Sequence, residues 1–324
     1  MKIGGTEMYV SNLDQVLFPQ SGFTKGELID YYARVSKVIL PHLKDRPLTL
    51  KLYYHGVNSP ADYEKDAPAY TPDWVARAPI WRKSGDSKIH FVLVNDLPTL
   101  VWTANLANIE MHPFLARWPK IAQPDSVVFD LDPGEPADAL DAAQVALWLG
   151  DLLEEMKLKA FVKTAGSKGL HVYVPLNTPV TYAHTQPFAR SIAELLRKRH
   201  QELIVSEMAT ELRAGKVFVD WSQNAEHKST VCVYSLRAKG TEPFVSMPLS
   251  WNDLKRAIKA REPKFFCIKP EEALKSIEKC GDVFEPLLRL KQKLPRKITA
   301  FLKPSEPKRP AASRRRKRQN RQST

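Results

Sequence analysis

Apolar residues recur at three- and four-residue steps through Leu28, Tyr31, Tyr32, Val35, Val38 and Ile39, the spacing of a helix with one buried face. Thr24, with Glu27 three positions later, supplies a capping box at its start, and Pro41 predicts its end. Residues 44–95 mix short strand-like runs with Pro, Gly and Asp turns, and Leu97–Ile109 reads as a buried helix. Period two then takes over. Val127, Phe129 and Leu131 alternate with Val128, Asp130 and Asp132, and Pro133-Gly134 stops the run, which predicts a strand. A helix follows over Asp138–Met156, then a strand at Ala160–Thr164, a turn at Gly166–Gly169 and a strand at Leu170–Leu176. Further helices are predicted over 186–200, 250–260 and 270–279, and further strands over Lys216–Trp221 and Thr230–Leu236. From Leu294 proline and charge replace the pattern. No internal repeat is present, and helices and strands mix without strict βαβ alternation, so the class is α+β.

Composition changes this picture little and charge changes it more. The 324 residues are 43% hydrophobic and 26% charged, which excludes wholesale disorder. No apolar run approaches the ~20 residues of a membrane span, and the charged start, Met1-Lys2-Ile3-Gly4-Gly5, is not followed by the apolar block of a secretory signal. Cys232, Cys267 and Cys280 are too few and scattered for a disulfide framework or zinc knuckle; a cytoplasmic location is expected. The net charge is +13, and eight of the excess cations lie between Pro307 and Thr324, where no acid occurs. A polyanionic partner, nucleic acid above all, is the leading inference, with a merely solubilising tail as the alternative.

Three constellations can carry chemistry. Asp130 and Asp132 project from one face of a strand, roughly 6.5–7 Å apart at the backbone, and would repel unless a cation sits between them. Oxygen ligands favour Mg²⁺ or Mn²⁺, although strand-end Asp pairs also serve as turn caps. The turn Gly166-Ser167-Lys168-Gly169, with His171 on the strand that emerges, offers amides and a cation to a phosphate; His171 reads equally as a core histidine. Asp220, inside the apolar run Val217–Val219, demands compensation by a metal, by Arg213 or by a lysine. Three carboxylates around two divalent ions would suit in-line phosphoryl transfer. Lys25, Lys51, Tyr53, Tyr54, Tyr63, Lys65, Trp74, Trp81 and Arg237 add cations and aromatic rings of the kind that hold backbone phosphates and stack bases.

In order along the chain stand Leu13-Asp14-Gln15-Val16-Leu17-Phe18-Pro19, Thr24-Lys25-Gly26-Glu27, Arg46-Pro47-Leu48-Thr49, Glu110-Met111-His112, Val128-Phe129-Asp130-Leu131-Asp132-Pro133-Gly134, Gly166-Ser167-Lys168-Gly169-Leu170-His171, Phe218-Val219-Asp220-Trp221 and Tyr234-Ser235-Leu236-Arg237. Over about residues 10–255 this set resembles the archaeo-eukaryotic primase superfamily, specifically the polymerase domain of bacterial ligase D. The resemblance implies a primase-polymerase fold with two facing sheets, one like that of an RNA-recognition motif, flanked by helices across a cleft. It implies a catalytic domain over 1–295, made of an N-terminal region, 1–120, and a core, 121–295; beyond it, proline and unpaired charge predict a basic, disordered tail over 296–324.

The resemblance also implies roles. Asp130, Asp132 and Asp220 correspond to the metal triad, holding two Mn²⁺ or Mg²⁺ ions. Ser167, Lys168, His171 and Arg237 correspond to contacts of the incoming NTP or dNTP, with Lys51, His112, Arg213 and Asn224 also on that side. Lys25 matches one of two lysines that hold a 5′-phosphate, while Gln15 stands where the other is usual. Tyr63 remains from an aromatic pair, with Lys65 beside it, and Arg314, Arg315 and Arg316 are expected to touch DNA backbone. Ala165 replaces a common serine. The implied activity is gap filling and end extension in non-homologous end joining, by a stand-alone polymerase working with Ku and a separate ATP-dependent DNA ligase. De novo priming, a weakly catalytic end-binding scaffold and a metal-dependent nuclease are the alternative readings.

Overall fold

Two sheets organise the chain, and residue alternation explains the faces of each. The computed structural model describes residues 2–82 and 84–295; the basic tail, with Arg314, Arg315 and Arg316, lies outside the described residues. The first sheet contains β1 (Pro47–Leu52), β2 (Asp62–Glu64), β3 (Arg77–Trp81), β4 (Lys88–Leu93) and β5 (His112–Pro113), in the order β2-β1-β4-β3 with β5 also on β1, all antiparallel. Two helices, α1 (Lys25–Leu43) and α2 (Leu97–Asn105), pack on each other beside it. The expected capping box opens α1: the Glu27 amide donates to Thr24 Oγ1 at 3.2 Å and the Thr24 amide to Glu27 Oε2 at 2.7 Å. Leu28, Tyr31, Tyr32, Val35 and Ile39 form its buried stripe.

The second sheet contains β6 (Ser126–Pro133), β7 (Phe161–Thr164), β8 (Leu170–Pro175), β9 (Ile204–Val205), β10 (Val217–Asp220) and β11 (Pro248–Leu249), in the order β9-β10-β6-β8-β7-β11. Only β9 and β10 run parallel. Val127, Phe129, Leu131, Val162, Leu170, Val172, Val174, Val217 and Val219 share one core with residues of α3 (Ala139–Glu155), α4 (Tyr182–Arg199) and α5 (Trp251–Ala260). The opposite face changes character along its length. Val128 and Tyr173, paired across β6 and β8, enter the core built by α1, α2 and the first sheet; two residues further on, the same face carries Asp130 and His171. The two sheets are thus joined by a common hydrophobic interior. The Tyr31 hydroxyl donates to the Tyr234 carbonyl at 2.8 Å, and Leu274 and Phe284, from α6 (Pro270–Cys280) and just beyond, pack into that interior.

Four element boundaries differ from expectation. Helix α1 runs two residues past Pro41, because proline's missing N–H costs a single bond and Lys44 still donates to the Leu40 carbonyl at 2.9 Å. Helix α2 stops at Asn105 instead of Ile109: Ala107 has φ +58°, and the Asn108 side chain turns away to accept from the Lys51 amide at 2.7 Å. Helix α4 starts at Tyr182, so Pro187 lies within it. The expected strand Thr230–Leu236 is irregular up to Ser235, and only Leu236–Arg237 pairs, with Phe244–Val245. Val231, Cys232 and Val233 are all buried without pairing as a strand, so their apolar run reflects burial on every side, and Tyr234, with φ +65°, breaks the ladder.

Candidate active site

Register across the second sheet assembles the site. Asp130 on β6 stands opposite Asp220 on β10 and opposite His171 on β8, and His171 in turn stands opposite Lys163 on β7. Four polar residues therefore form one row across four strands, with neighbouring Cα atoms about 5 Å apart. Asp132 follows on the same face, paired with Phe218. The back of these strands is anchored in the core, which fixes where the carboxylates emerge. Asp132 is exposed, and Asp130 and Asp220 are partly so.

Each carboxylate has a distinct environment. Asp130 Oδ1 lies 3.2 Å from His171 Nε2. Burial pushes its pKa up, but His171, Arg237 and Lys163 outweigh that and hold it at about 2. Asp220 is turned to its own loop, accepting from the Ser222 amide at 2.7 Å and from Gln223 Nε2 at 2.8 Å. Burial and the Asp130 charge both raise the pKa of Asp132 from its ordinary value. In these rotamers, no three His, Cys, Asp or Glu side chains among the described residues converge as a ligand set. The donor chemistry nevertheless fits a hard divalent cation. Three carboxylates emerge side by side, and the mutual repulsion that lifts Asp132 is what a cation would relieve.

Behind Asp130 runs a buried chain. His171 Nδ1 lies 3.2 Å from Lys163 Nζ, and Lys163 Nζ lies 2.6 Å from Ser246 Oγ, which donates to the Thr164 carbonyl at 2.7 Å. Burial and the charge of Lys163 depress His171 to about 4 despite Asp130, leaving the ring neutral at pH 7. Burial, with Arg237 nearby, brings Lys163 down to about 7. His171 is buried with both ring nitrogens engaged, so it stands beside the carboxylates rather than free in the cleft.

The β7–β8 turn lies at the end of this row. Gly166 has φ +75°, and a Cβ there would stand 2.2 Å from Arg237 Cγ. Only glycine lets the turn close over the arginine. Ser167 is half-buried and Lys168 exposed, its Nζ 3.7 Å from Glu135 Oε1. Arg237 leads to a second assembly around Glu110, whose side chain is fully buried. Glu110 Oε1 lies 3.2 Å from Lys51 Nζ and accepts from the Tyr53 hydroxyl at 3.2 Å and the Ala238 amide at 3.1 Å. Glu110 Oε2 lies 2.7 Å from His112 Nε2 and 3.2 Å from Arg237 Nε. Burial alone would raise Glu110, but His112, Arg237 and Lys51 hold it well below the usual carboxylate range. Burial lowers His112 against the pull of Glu110.

The remaining expected residues occupy varied places. The Arg213 guanidinium lies 3.8 Å from the Phe218 ring centroid and donates to the Met208 carbonyl at 2.9 Å, and its charge reaches Asp132, which Phe218 faces across the strands. Asn224 is buried and spent on the strand: its Oδ1 accepts from the Val128 amide at 2.9 Å and its Nδ2 donates to the Val128 carbonyl at 2.7 Å. It braces β6 two residues before Asp130 instead of facing a nucleotide. Lys25 begins α1 with its Nζ 3.5 Å from Ser11 Oγ, and burial lowers its pKa. Gln15, next to it through the Lys25 amide, donates from Nε2 to the Tyr54 carbonyl at 2.6 Å. Tyr63 is 67% exposed, with Lys51 Nζ 5.5 Å from its ring centroid, and Lys65 is exposed beside it.

Residues 24–284 match the LigD primase-polymerase domain. The chain belongs to this family. It is 38% identical over 288 residues to the multifunctional non-homologous end joining DNA repair protein LigD of Mycobacterium tuberculosis, an alignment covering 86% of this chain and 36% of that protein. It is 32% identical over 282 residues to the bifunctional non-homologous end joining protein LigD of Bacillus subtilis, covering 86% of this chain and 44% of the other. The chain therefore spans less than half the length of these curated relatives. Among solved structures, the polymerase domain of Mycobacterium tuberculosis ligase D in complex with DNA superposes with a TM-score of 0.80 at 36% identity, covering 87% of this chain and 98% of that one.

Two residues of this LigD-type site escape a reading of roles from the sequence. Glu110 reads along the chain as a neighbour of His112, whereas in the fold it is the hub of the basic cluster. Lys163 reads as one position of a short strand. Alternation with the core-facing Val162 puts it on the opposite face, and nothing nearby in the sequence shows that this face is buried there.

Proposed function

We propose that the chain is a metal-dependent, template-directed nucleotidyltransferase that extends a DNA 3′-hydroxyl at short gaps and broken ends. The observation that carries this reading is the register row Asp220–Asp130–His171 beside the Gly166–Gly169 turn, with Arg237 linking that turn to Glu110. Carboxylates and cations are thus sorted into two adjacent groups, as transfer of a nucleotide from its triphosphate requires.

In this reading Asp130, Asp132 and Asp220 hold two Mg²⁺ or Mn²⁺ ions, which when bound lower the pKa of the attacking hydroxyl and neutralise the phosphates. Arg237, Lys51 and Lys168, with the amides and hydroxyl around Ser167, bind and orient the triphosphate of an NTP or dNTP. Glu110 is one carboxylate between Lys51 and Arg237, so this cluster keeps a net positive charge to offer. His112, held at Nε2 by Glu110, presents its other ring nitrogen beside them. Arg213, stacked on Phe218, places positive charge next to Asp132. Tyr63 and Lys65 present a stacking ring and a cation to the DNA strand, and Lys25 with the α1 N-terminus accommodates a 5′-phosphate. The names of the relatives support a place in non-homologous end joining, with Ku and a separate ATP-dependent ligase as partners. No helix among the described residues is long and apolar enough to cross a membrane.

Incubation with a gapped duplex, Mn²⁺ and labelled nucleotides tests the reading. Template-matched extension supports it. Shortening of the primer would make the site a nuclease, synthesis without a primer would make it a primase, and binding without chemistry would leave only a scaffold.

A further inference from the structure

Lys163 is 1% exposed, stands two strands from Asp130 in the same row, and bonds to His171 and Ser246. We propose that Lys163 is a positioning residue that fixes the tautomer of His171, placing its proton on Nε2 so that the ring donates to Asp130 and holds that carboxylate in one orientation.

The direction of the chain follows from donor and acceptor counting. Ser246 Oγ is 2.7 Å from the Thr164 carbonyl, which can only accept, so the serine proton is spent there. Lys163 Nζ, 2.6 Å from the same Oγ, must then donate to it. A second N–H of Lys163 points to His171 Nδ1 at 3.2 Å. An imidazole that accepts at Nδ1 carries its proton on Nε2, and Nε2 faces Asp130 Oδ1 at 3.2 Å. The opposite tautomer would set a bare ring nitrogen against a carboxylate oxygen. The assignment holds for an ammonium and for a neutral amine, because the amine keeps two N–H bonds, enough for Ser246 and His171. Lys163 is itself held by the Tyr173 ring, 5.7 Å from Nζ, and lines a small pocket of about 40 Å³ with Arg46, Thr230 and Cys232. With Oδ1 of Asp130 committed to His171, Oδ2 is the oxygen left for a cation. Partners of this kind typically change metal affinity 10- to 100-fold when removed.

The consequence for metal binding rests on the proposed role of Asp130, but the tautomer concerns the histidine alone. The test is a two-bond ¹H–¹⁵N spectrum of protein labelled at histidine nitrogens, recorded without metal at pH 8, with His171 assigned from a His171→Gln spectrum. The wild type should show a single tautomer protonated at Nε2; a proton on Nδ1 would overturn the proposal without any variant of Lys163. In Lys163→Met, where Asp130 still favours the Nε2 proton but the donor to Nδ1 is gone, the Nδ1 resonance should shift and broaden as the ring loses its fixed orientation, and Mn²⁺ affinity measured by calorimetry should fall at least tenfold. Lys163→Gln, which restores a donor, should recover some of both. An unchanged His171 spectrum in folded Lys163→Met would refute the positioning role. A changed spectrum with unchanged Mn²⁺ affinity would refute the claimed hold on Asp130, and would leave the proposed polymerase reading to be judged by its own assay.

Discussion

Glu110→Gln perturbs the basic cluster with almost no change of shape, and the geometry around the carboxylate fixes its cost. Four hydrogen-bond partners and one guanidinium converge on the two oxygens: Lys51, Tyr53 and the Ala238 amide on Oε1, His112 on Oε2, and the Arg237 charge 3.2 Å from Oε2. An amide must turn its NH₂ toward one of these sets. Facing Oε1's partners, it opposes three donors. Facing the other pair, it can donate to His112 only if that ring accepts, and it still opposes Arg237. At least one charged donor is orphaned where Lys51 and Arg237 are mostly buried. A buried unsatisfied donor costs about 1–3 kcal/mol, and more when charged, so a loss of about 2–4 kcal/mol is expected. Removing the whole carboxylate in Glu110→Ala would approach the ~3–5 kcal/mol of a broken buried ion pair, a large share of the ~5–15 kcal/mol holding a domain together. The sign of the pH dependence follows from the lowered pKa. Glu110 stabilises the fold above its unfolded pKa near 4, and that contribution is lost as pH falls through its lower folded value. Urea denaturation from pH 7 to pH 3 should therefore show a shallower acid loss in the variant, and the KM for nucleotide should rise at pH 7. Exposed Glu278→Gln, which only loosens a surface contact with Arg34, should stay within about 0.5 kcal/mol of wild type. Wild-type stability and wild-type KM in Glu110→Gln would refute the hub.

Three further outcomes follow from the same geometry. Gly166→Ala combines a positive φ with a Cβ 2.2 Å from Arg237 Cγ and should cost about 2–4 kcal/mol, read by denaturation, with a raised nucleotide KM as Arg237 is displaced. Lys168→Ala removes an exposed cation of the turn; its KM for nucleotide should rise while affinity for gapped duplex stays constant, and steady-state kinetics beside a binding isotherm check both. Asp132→Asn removes a charge that Asp130 repels, so in chelator its melting temperature should exceed that of wild type at pH 7, and the gap should close as pH falls far enough to protonate Asp132 in the folded protein. A lower melting temperature at pH 7 would contradict the assigned repulsion.

Where a residue's neighbours in sequence are also its neighbours in space, the sequence was informative. Val127, Phe129 and Leu131 set against Asp130 and Asp132 predict the strand, its buried side and the exposed carboxylates together. Thr24 with Glu27 marks the helix start that it caps. The failures share one cause, partners distant in sequence. Glu110 meets Lys51 across 59 positions and Arg237 far along the chain, and nothing near Ile109 or Met111 announces either contact. Lys163 finds Ser246 83 positions away. Asn224 looks like a polar cleft residue until its amide is seen paired with Val128, 96 positions back. Val231, Cys232 and Val233 read as part of a strand, yet all are buried without pairing as one, and the left-handed Tyr234 that breaks their ladder carries no sequence mark of glycine or asparagine.

The central claim is that the carboxylate row performs nucleotidyl transfer, and Asp220→Ala tests it most directly. Asp220 lies opposite Asp130 in the register, and its side chain otherwise bonds only within its own loop, to Ser222 and Gln223, so its removal should leave the fold and the DNA affinity near wild type. Extension of a gapped duplex with Mn²⁺ and labelled nucleotide should fall by at least about two orders of magnitude, the loss of several kcal/mol expected when a ligand to the activating ion is removed. A folded Asp220→Ala protein that binds the gapped duplex normally and retains more than about a tenth of wild-type extension, a loss of less than about 1.4 kcal/mol, would contradict the account.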